Sequence, residues 1–132
     1  MQFFQVLSVV SFGLLASVQA APAAAVEESA LDERTLGNVY LCTGSNWSNT
    51  CQNVEFKTDQ TCTPIPEPFA YSLGSIGPDA GQYCRLYPSA GCVESKQLLF
   101  VYPGGYSDLY NQDGVDYGHQ AAYIACQACS AC

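Results

Sequence analysis

The chain has 132 residues, eight cysteines and a formal net charge of −8 at pH 7, from twelve acidic and four basic side chains. Because like charges repel, this balance excludes nucleic acids and anionic membrane surfaces as partners. An even number of cysteines in so short a chain indicates disulfides formed in an oxidising compartment.

Residues 1–20 have the pattern of a secretory signal peptide. They are apolar, carry no charged side chain, and end in the small-x-small sequence Val18-Gln19-Ala20, which signal peptidase accepts. The apolar run is shorter than the roughly 20 residues that a membrane-spanning helix needs. We therefore predict that this segment is removed, that the protein is secreted, and that the mature chain has no membrane anchor.

Residues 21–37 are predicted to form a disordered leader or pro-segment. The segment contains four acidic residues, one arginine and no aromatic residue, so it buries too little apolar surface to become ordered. Cleavage after Arg34 is an option, although the dibasic pair typical of a processing site is absent.

Residues 38–132 are predicted to form one small cysteine-rich β domain. They hold every cysteine and tyrosine of the chain and its single tryptophan. A core of this size is marginal by itself. Four disulfides, at roughly 2–4 kcal/mol each, are comparable to the whole stability of an ordinary domain, so the cysteines are expected to be structural.

Strand signals dominate this domain, in chain order at residues 38–43, 53–57, 82–87 and 97–102. Each segment is short, rich in Val, Tyr, Phe and Leu, and bounded by clusters of Gly, Pro, Asn or Ser, which is typical of strands in an all-β sandwich or barrel. The alanine-rich end, residues 119–132, allows a helix, but Tyr123 and Ile124 favour a closing strand.

Two cysteine pairs recur at similar spacing. Cys84 follows Cys42 by 42 residues and Cys92 follows Cys51 by 41, and tyrosines precede the first cysteine of each pair. A repeat of about forty residues is the size of one Greek key. Two such units cover each other's apolar faces, so we predict a sandwich of two Greek keys.

The motifs VYLC, NWSNTC, SLGSIGPDAGQYCRLYPSAGC and YPGGYSDL, within residues 38–126, resemble those of small secreted fungal proteins with a βγ-crystallin-like fold. The resemblance implies a disulfide-stapled two-Greek-key sandwich with an effector-like, virulence-associated role at a host interface, such as blocking a host hydrolase through exposed loops. The doubled serine of the crystallin motif is Gly74-Ser75 here, so no calcium site is predicted.

The disulfide pattern has two alternatives. In one, Cys42 pairs with Cys51 and Cys84 with Cys92, Cys62 takes one tail cysteine, and the other two tail cysteines pair together. In the other, all three tail cysteines bond to the body. The tail sequence CQACSAC also has the spacing of a zinc, iron–sulfur or redox site, but outside the cell bridging is favoured. No metal or cofactor is predicted. The cysteines concerned are Cys42, Cys51, Cys62, Cys84, Cys92, Cys126, Cys129 and Cys132.

Catalysis is not predicted. His119 is the single histidine, no G-x-S-x-G nucleophile motif occurs, and Asp113 and Asp116 lie in a turn sequence where Asp and Gly serve backbone geometry. The same turn imitates a calcium loop, but Leu109 occupies the first ligand position. A small secreted hydrolase remains an alternative.

Exposed aromatic loops are the predicted binding surface. Tyrosine and tryptophan on rigid loops are typical of protein interfaces, and we select Trp47, Tyr87, Tyr102 and Tyr106. Asn46 begins an N-glycosylation sequon. We expect a monomer that binds an extracellular host protein or other macromolecule. A secreted antimicrobial or killer-toxin-like protein is the alternative, although membrane-active killers are usually basic.

Overall fold

The structure is a computed structural model that describes residues 36–132. The predicted signal peptide and residues 21–35 of the predicted leader lie outside the described residues. Leu36 and Gly37, which the sequence placed in the leader, instead begin the first strand, where they pair with Lys57 and Phe56. These two residues are therefore part of the folded domain.

Within residues 36–132 the chain forms seven β-strands and two 3₁₀ turns. The strands are β1 (Leu36–Gly44), β2 (Ser48–Lys57), β3 (Thr63–Pro64), β4 (Ser75–Pro78), β5 (Gln82–Tyr87), β6 (Leu99–Val101) and β7 (Tyr123–Ala128), and the turns are Glu94–Lys96 and Leu109–Asn111. All four predicted strands are present, and the closing strand predicted for the tail is β7.

The strands form two antiparallel sheets, and each half of the chain contributes a segment to the sheet formed mainly by the other half. The first sheet has the order β2-β1-β4 and the second β3-β7-β5-β6. β3, from the first half of the chain, thus lies in the second sheet beside β7. In return, the second half places Tyr106 beside Ile76 of β4 through a reciprocal pair of backbone hydrogen bonds. Each half is therefore a Greek key that is completed by the other.

Gly105 permits this return contact. It has a φ of +61°, and a Cβ built on it would lie 1.9 Å from the carbonyl oxygen of Ile76. Glycine combines freedom at positive φ with the absence of a side chain, so the second half can reach the edge of β4 only with glycine here.

The core lies between the sheets. Alternate strand residues point inward, and the buried cluster combines aliphatic side chains with Phe56, Phe69 and two cysteines. Its members are Val39, Leu41, Phe56, Ile65, Phe69, Leu73, Ile76, Cys84, Leu86, Val101, Leu109, Ala121, Ile124 and Cys126. Both halves contribute to it, so neither half has a complete core alone.

Four disulfides crosslink the domain: Cys42–Cys51, Cys62–Cys92, Cys84–Cys126 and Cys129–Cys132. Cys42–Cys51 joins residues directly opposite each other on β1 and β2. Cys84–Cys126 does the same on β5 and β7 and lies within the buried core. Cys62–Cys92 ties the segment before β3 to the loop after β5.

Neither disulfide scheme predicted from the sequence is correct in full. The first hairpin closes on itself and two tail cysteines pair together, but Cys84 does not pair with Cys92. After β5 the chain passes through a turn and the Glu94–Lys96 3₁₀ turn before β6 begins, so Cys92 is not opposite Cys84. The strand that runs beside Cys84 and carries a cysteine at its level is β7.

Neither 3₁₀ turn within residues 36–132 has the length or the apolar character needed to span a bilayer.

We predict that the disulfides contribute unequally to stability. Cys84–Cys126 closes a segment of 42 residues, for which the chain-entropy relation gives about 4 kcal/mol, whereas Cys129–Cys132 closes one of 3 and gives about 2 kcal/mol. The double variant C84A/C126A should therefore lose about twice as much unfolding free energy in urea as C129A/C132A. Equal losses would contradict this ranking.

Candidate binding surfaces

The β1–β2 hairpin tip, residues 45–48, is fixed by a fully buried serine at the start of β4. The Ser75 hydroxyl donates to the carbonyl oxygen of Gly44 at 2.6 Å, with the carbonyl of Ser107 at 3.2 Å as a second acceptor. The same oxygen accepts from the backbone N–H of Trp47 at 3.0 Å. One side chain therefore satisfies groups on both sides of the tip.

The second half of the chain also holds the hairpin tip. The Asn46 N–H donates to the Ser107 carbonyl at 2.6 Å, and the Ser45 hydroxyl donates to Oδ1 of Asp108 at 2.8 Å. Asp108 Oδ1 in addition accepts from the N–H of Tyr110, which caps the second 3₁₀ turn. The tip is thus anchored to both Greek keys.

Trp47 has an unusual backbone conformation at this tip. Its φ is +59°, and that of Asn46 is +58°. The left-handed region is common for asparagine in turns but rare for a bulky residue, and it costs about 1–2 kcal/mol for a residue with a Cβ. The hydrogen bonds to Ser75 and Ser107 and the Cys42–Cys51 disulfide beneath the tip offset this cost.

The indole ring of Trp47 lies on the outer face of the first sheet. It stacks on Tyr40 with ring centroids 6.0 Å apart, and it passes over Gly77, where an added Cβ would lie 3.2 Å from Cη2. Tyr40 and Gly77 are paired across β1 and β4, so the glycine leaves room for the ring. Trp47 and Tyr40 remain 39% and 36% exposed.

The outer face of the second sheet carries a larger aromatic group, which we call the aromatic face: Tyr83, Phe100 and Tyr102, with Arg85 and Gln127. The three rings have centroids 5.6–6.2 Å apart, and the planes of Phe100 and Tyr102 differ by 14°. Phe100 is 40% exposed and Tyr102 51%. The Tyr83 hydroxyl donates to Oε1 of Gln127 at 2.5 Å.

Arg85 is part of this aromatic face. Its guanidinium carbon lies 5.5 Å from the ring centroid of Phe100 and 5.9 Å from that of Tyr83, within the range of a cation–π interaction. Partial burial lowers the pKa of Arg85, but the neighbouring phenol groups of Tyr83 and Tyr87 outweigh it, so the net shift of this pKa is upward. The guanidinium of Arg85 is therefore a permanently charged hydrogen-bond donor that lies over the rings of Tyr83 and Phe100.

The structure brings together only part of the predicted aromatic surface. Trp47 and Tyr102 are exposed, but on different sheets. Tyr87 is 3% exposed, which corrects the prediction that it is presented; it ends β5, where the chain entering β7 crosses it and Ala122 N–H donates to its carbonyl. Tyr106 is half-buried against the core, because its backbone completes the first sheet.

Sequence reasoning missed Tyr40, Tyr83 and Phe100 as surface residues. The signal was available in the alternation of β5 and β6: Cys84, Leu86 and Val101 point inward, so Tyr83 and Phe100 must point outward. Proximity to proline and glycine turns, from which the surface was predicted, does not show which face of a strand a residue occupies.

His119, the candidate catalytic histidine of the hydrolase alternative, lies in an exposed loop before β7. Its Nδ1 lies 2.6 Å from Oδ2 of Asp116, and its ring stacks on Tyr110 at 4.5 Å. The hydrogen bond from His119 lowers the pKa of Asp116, and burial raises the pKa of Tyr110. Tyr110 donates through its hydroxyl to the Thr43 carbonyl, so these contacts join the loop to β1.

Asp113 has a structural role in a turn. Its φ is +53°, and its carboxylate accepts a hydrogen bond from Nε2 of Gln112 at 3.3 Å. Residues 36–132 contain no group of three or more His, Cys, Asp or Glu side chains close enough to hold a metal ion.

A cleft of about 270 Å³ lies where β1 meets the turn into β5 and is lined by Leu36, Asn38, Asp79 and Gln82, among others. Gln82 is 2% exposed, and its Nε2 donates to the Asn38 carbonyl at 2.7 Å. Within the described residues its Oε1 has no hydrogen-bond partner. The side chain links the first strands of the two halves.

Asn46, the predicted glycosylation site, is exposed at the hairpin tip. Asn46 directly precedes Trp47 in the chain, and the sequon residue Ser48 donates its hydroxyl to the Ser45 carbonyl at 2.5 Å. The location is accessible, and occupancy stays a prediction.

No family model matches the sequence, and no curated protein sequence matches it. Among solved structures, the fold is similar to the βγ-crystallin domain of Abundant Perithecial Protein from Neurospora crassa in its Ca²⁺-bound form. The TM-score is 0.51 with 7% sequence identity, over 73% of this chain and 93% of that one. At this identity the similarity establishes the fold alone: an all-β, βγ-crystallin-like sandwich, which confirms the predicted fold class.

We predict that Ser75→Ala destabilises the protein by about 2–3 kcal/mol. The change removes the partner of the buried Gly44 carbonyl and of the part-buried Trp47 N–H. A fully buried unsatisfied group costs about 1–3 kcal/mol, and a part-buried one less because water can reach it. Ser89→Ala, in an exposed turn, is the matched control and should stay within about 0.5 kcal/mol of the wild type. Urea unfolding measures both, and similar values for the two variants would show that Ser75 does not hold the tip.

Proposed function

We propose that this protein is a non-catalytic binding protein that acts outside the cell on a host macromolecule, as an inhibitor of a host hydrolase. The observation that carries the proposal is Trp47, held in a left-handed conformation at a crosslinked hairpin tip with its ring exposed beside Tyr40. Backbone strain in an over-determined site is often functional.

The hairpin tip is pre-organised for binding. The Cys42–Cys51 disulfide lies at its base, and Ser75, Ser107 and Asp108 fix its backbone and side chains. A loop that is ordered before it meets its partner loses little conformational entropy on binding. An exposed tryptophan on such a loop has the composition of an interface hot spot.

Charge restricts the partner. Residues 38–132 contain eight acidic side chains against Lys57, Arg85 and Lys96, a balance of −5. A basic host protein is attracted by this surface, whereas nucleic acids and anionic membranes are repelled. Four disulfides fit an oxidising exterior. The resemblance to small secreted fungal proteins supports the effector-like role.

Binding is favoured over hydrolysis by the contacts of the candidate catalytic groups. His119 pairs with Asp116 and stacks on Tyr110 in an exposed loop. Every cysteine within residues 36–132 is in a disulfide, and none is therefore a thiolate nucleophile. A histidine–carboxylate pair without a nucleophile beside it does not complete a triad.

Calcium binding does not follow from the fold. Calcium takes six to eight oxygen ligands, but the Ser75 hydroxyl is fully buried and already bonded to Gly44 and Trp47. Gly74 before it has no side-chain oxygen. The side chains at these positions, within residues 36–132, do not fit a crystallin-type calcium site.

We therefore predict that calcium does not stabilise the protein. A ligand at 100 times its Kd stabilises the folded state by about 2.7 kcal/mol, which raises the Tm of a domain this size by several degrees. Thermal unfolding in millimolar CaCl₂ and in EDTA should instead give the same Tm to within about 1 °C. A rise of several degrees with Ca²⁺ but not Mg²⁺ would contradict the assignment.

The inhibitor proposal is tested with the secreted protein and a panel of purified extracellular proteases and glycosidases. We expect saturable inhibition of at least one enzyme, and a loss of about tenfold or more in inhibition constant with Trp47→Ala, because a buried anchor residue contributes at least 1.4 kcal/mol. Val115→Ala, an exposed apolar residue in another loop, is the matched control. The absence of inhibition across the panel, or equal inhibition by Trp47→Ala, would overturn the proposal.

A further inference from the structure

The aromatic face of the second sheet lies apart from the hairpin tip and has a different composition. Tyr83 and Arg85 project from β5, Phe100 from β6 and Tyr102 directly after it, while Gln127 projects from β7 opposite Tyr83. The group therefore spans three neighbouring strands and is part of the open surface of a sheet.

Three features of this face bear on the ligand that it fits. The apolar side chains of the aromatic face are aromatic rings. Ala125, which lies opposite Arg85 on β7, adds only a methyl group. Its rings lie near one another, and the planes of the Phe100 and Tyr102 rings are close to parallel, at 14°. Hydrogen-bonding groups stand among the rings: a guanidinium, an amide and phenol hydroxyls.

We propose that the aromatic face binds a neutral, β-linked pyranose chain of an extracellular polysaccharide. In such a sugar the C–H bonds point above and below the ring while the hydroxyls lie around its rim. The C–H groups carry partial positive charge and are attracted to the negative face of an aromatic ring, and the contact also removes apolar surface from water. The rim hydroxyls are then met by Arg85 and Gln127.

Arg85 has two tasks in this arrangement. Its guanidinium lies near the rings of Phe100 and Tyr83 and so fixes their positions. It also keeps several N–H donors in a planar fork, which suits the oxygens of adjacent hydroxyls. Gln127 uses Oε1 to accept from Tyr83, and this bond leaves its amide N–H₂ as a donor.

Charge favours a neutral chain over an anionic one. The balance of −5 in residues 38–132 repels a polyuronate as a whole, even though Arg85 alone would attract a single carboxylate. It also opposes a symmetric dimer through this face, because two acidic chains would meet and Arg85 would approach its own copy. The same residues could serve only as cross-strand pairs that stabilise the sheet, and the experiment separates this outcome.

The aromatic face lies on the other sheet from the hairpin tip and would bind a different partner from the hydrolase of the proposed function. Polysaccharide binding is measured without any hydrolase, so either proposal can fail while the other holds. Tyr102→Ala should retain whatever inhibition the wild type has, and Trp47→Ala should retain polysaccharide binding.

The test uses the secreted protein with insoluble cellulose and chitin in a sedimentation assay, and with cellohexaose and chitohexaose in calorimetric titration. We expect saturable binding to one of these β-linked chains and little binding to polygalacturonate. Tyr102→Ala and Phe100→Leu should each weaken binding about tenfold or more, the second because leucine keeps apolar area but removes the ring. Tyr40→Ala, whose residue is similarly exposed on the first sheet, is the matched control and should bind normally.

Thermal unfolding of each variant separates lost binding from lost folding, and Phe100→Leu provides a second test where Tyr102→Ala is unstable. The proposal is overturned by no binding to either polymer, by preference for polygalacturonate, or by equal loss with Tyr40→Ala. It is also overturned if sedimentation velocity shows a dimer that Tyr102→Ala dissociates, since the face would then join two copies of this chain.

Discussion

The exchange of one segment between the two halves is the constraint on which this structure depends. β3 leaves the first half to pair with β7, and the backbone of Tyr106 returns from the second half to pair with Ile76. Each sheet is therefore incomplete without the other half, and the core between them is shared. Gly105 allows the return contact at a distance that no other residue type would tolerate.

The same exchange builds the hairpin tip. Ser107 and Asp108 directly follow the returning segment, and they are the residues that hold Asn46 and Ser45. Ser75, at the start of β4, completes the anchoring from within the first half. The strained backbone of Trp47 is thus supported by residues from both halves, so fold stability and the presentation of the indole ring are linked.

Much of the fold followed from the sequence because its signals are local. Short runs rich in Val, Tyr, Phe and Leu between turn residues gave the positions of β1, β2, β5 and β6, and the repeated cysteine spacing gave the two Greek keys. The disulfide pairing did not follow. Cys84 and Cys92 are as close in sequence as Cys42 and Cys51, but only the latter pair lies on a tight hairpin; the partner of Cys84 depends on β7, more than forty residues away, lying beside β5.

The candidate site was less predictable for a related reason. Exposure of an aromatic residue depends on which face of a strand it occupies and on what crosses it. Tyr102 and Trp47 were identified from neighbouring turn residues, and both are exposed. Tyr87 is covered by the chain that enters β7, and the backbone of Tyr106 pairs with Ile76 in the first sheet. The pairing of Tyr83 with Phe100 and Tyr102 arises only once β5 and β6 are adjacent.

The disulfide connectivity also determines what a protease can release. Cys62–Cys92 and Cys84–Cys126 overlap along the chain, so one peptide-bond cut anywhere from residue 63 to residue 125 leaves both fragments in a single covalent molecule. The long excursion between β6 and β7, which carries the returning segment and the His119 loop, lies wholly inside that range. A protease cut there would break the backbone without releasing a fragment. The two fragments would separate only after the disulfides are reduced.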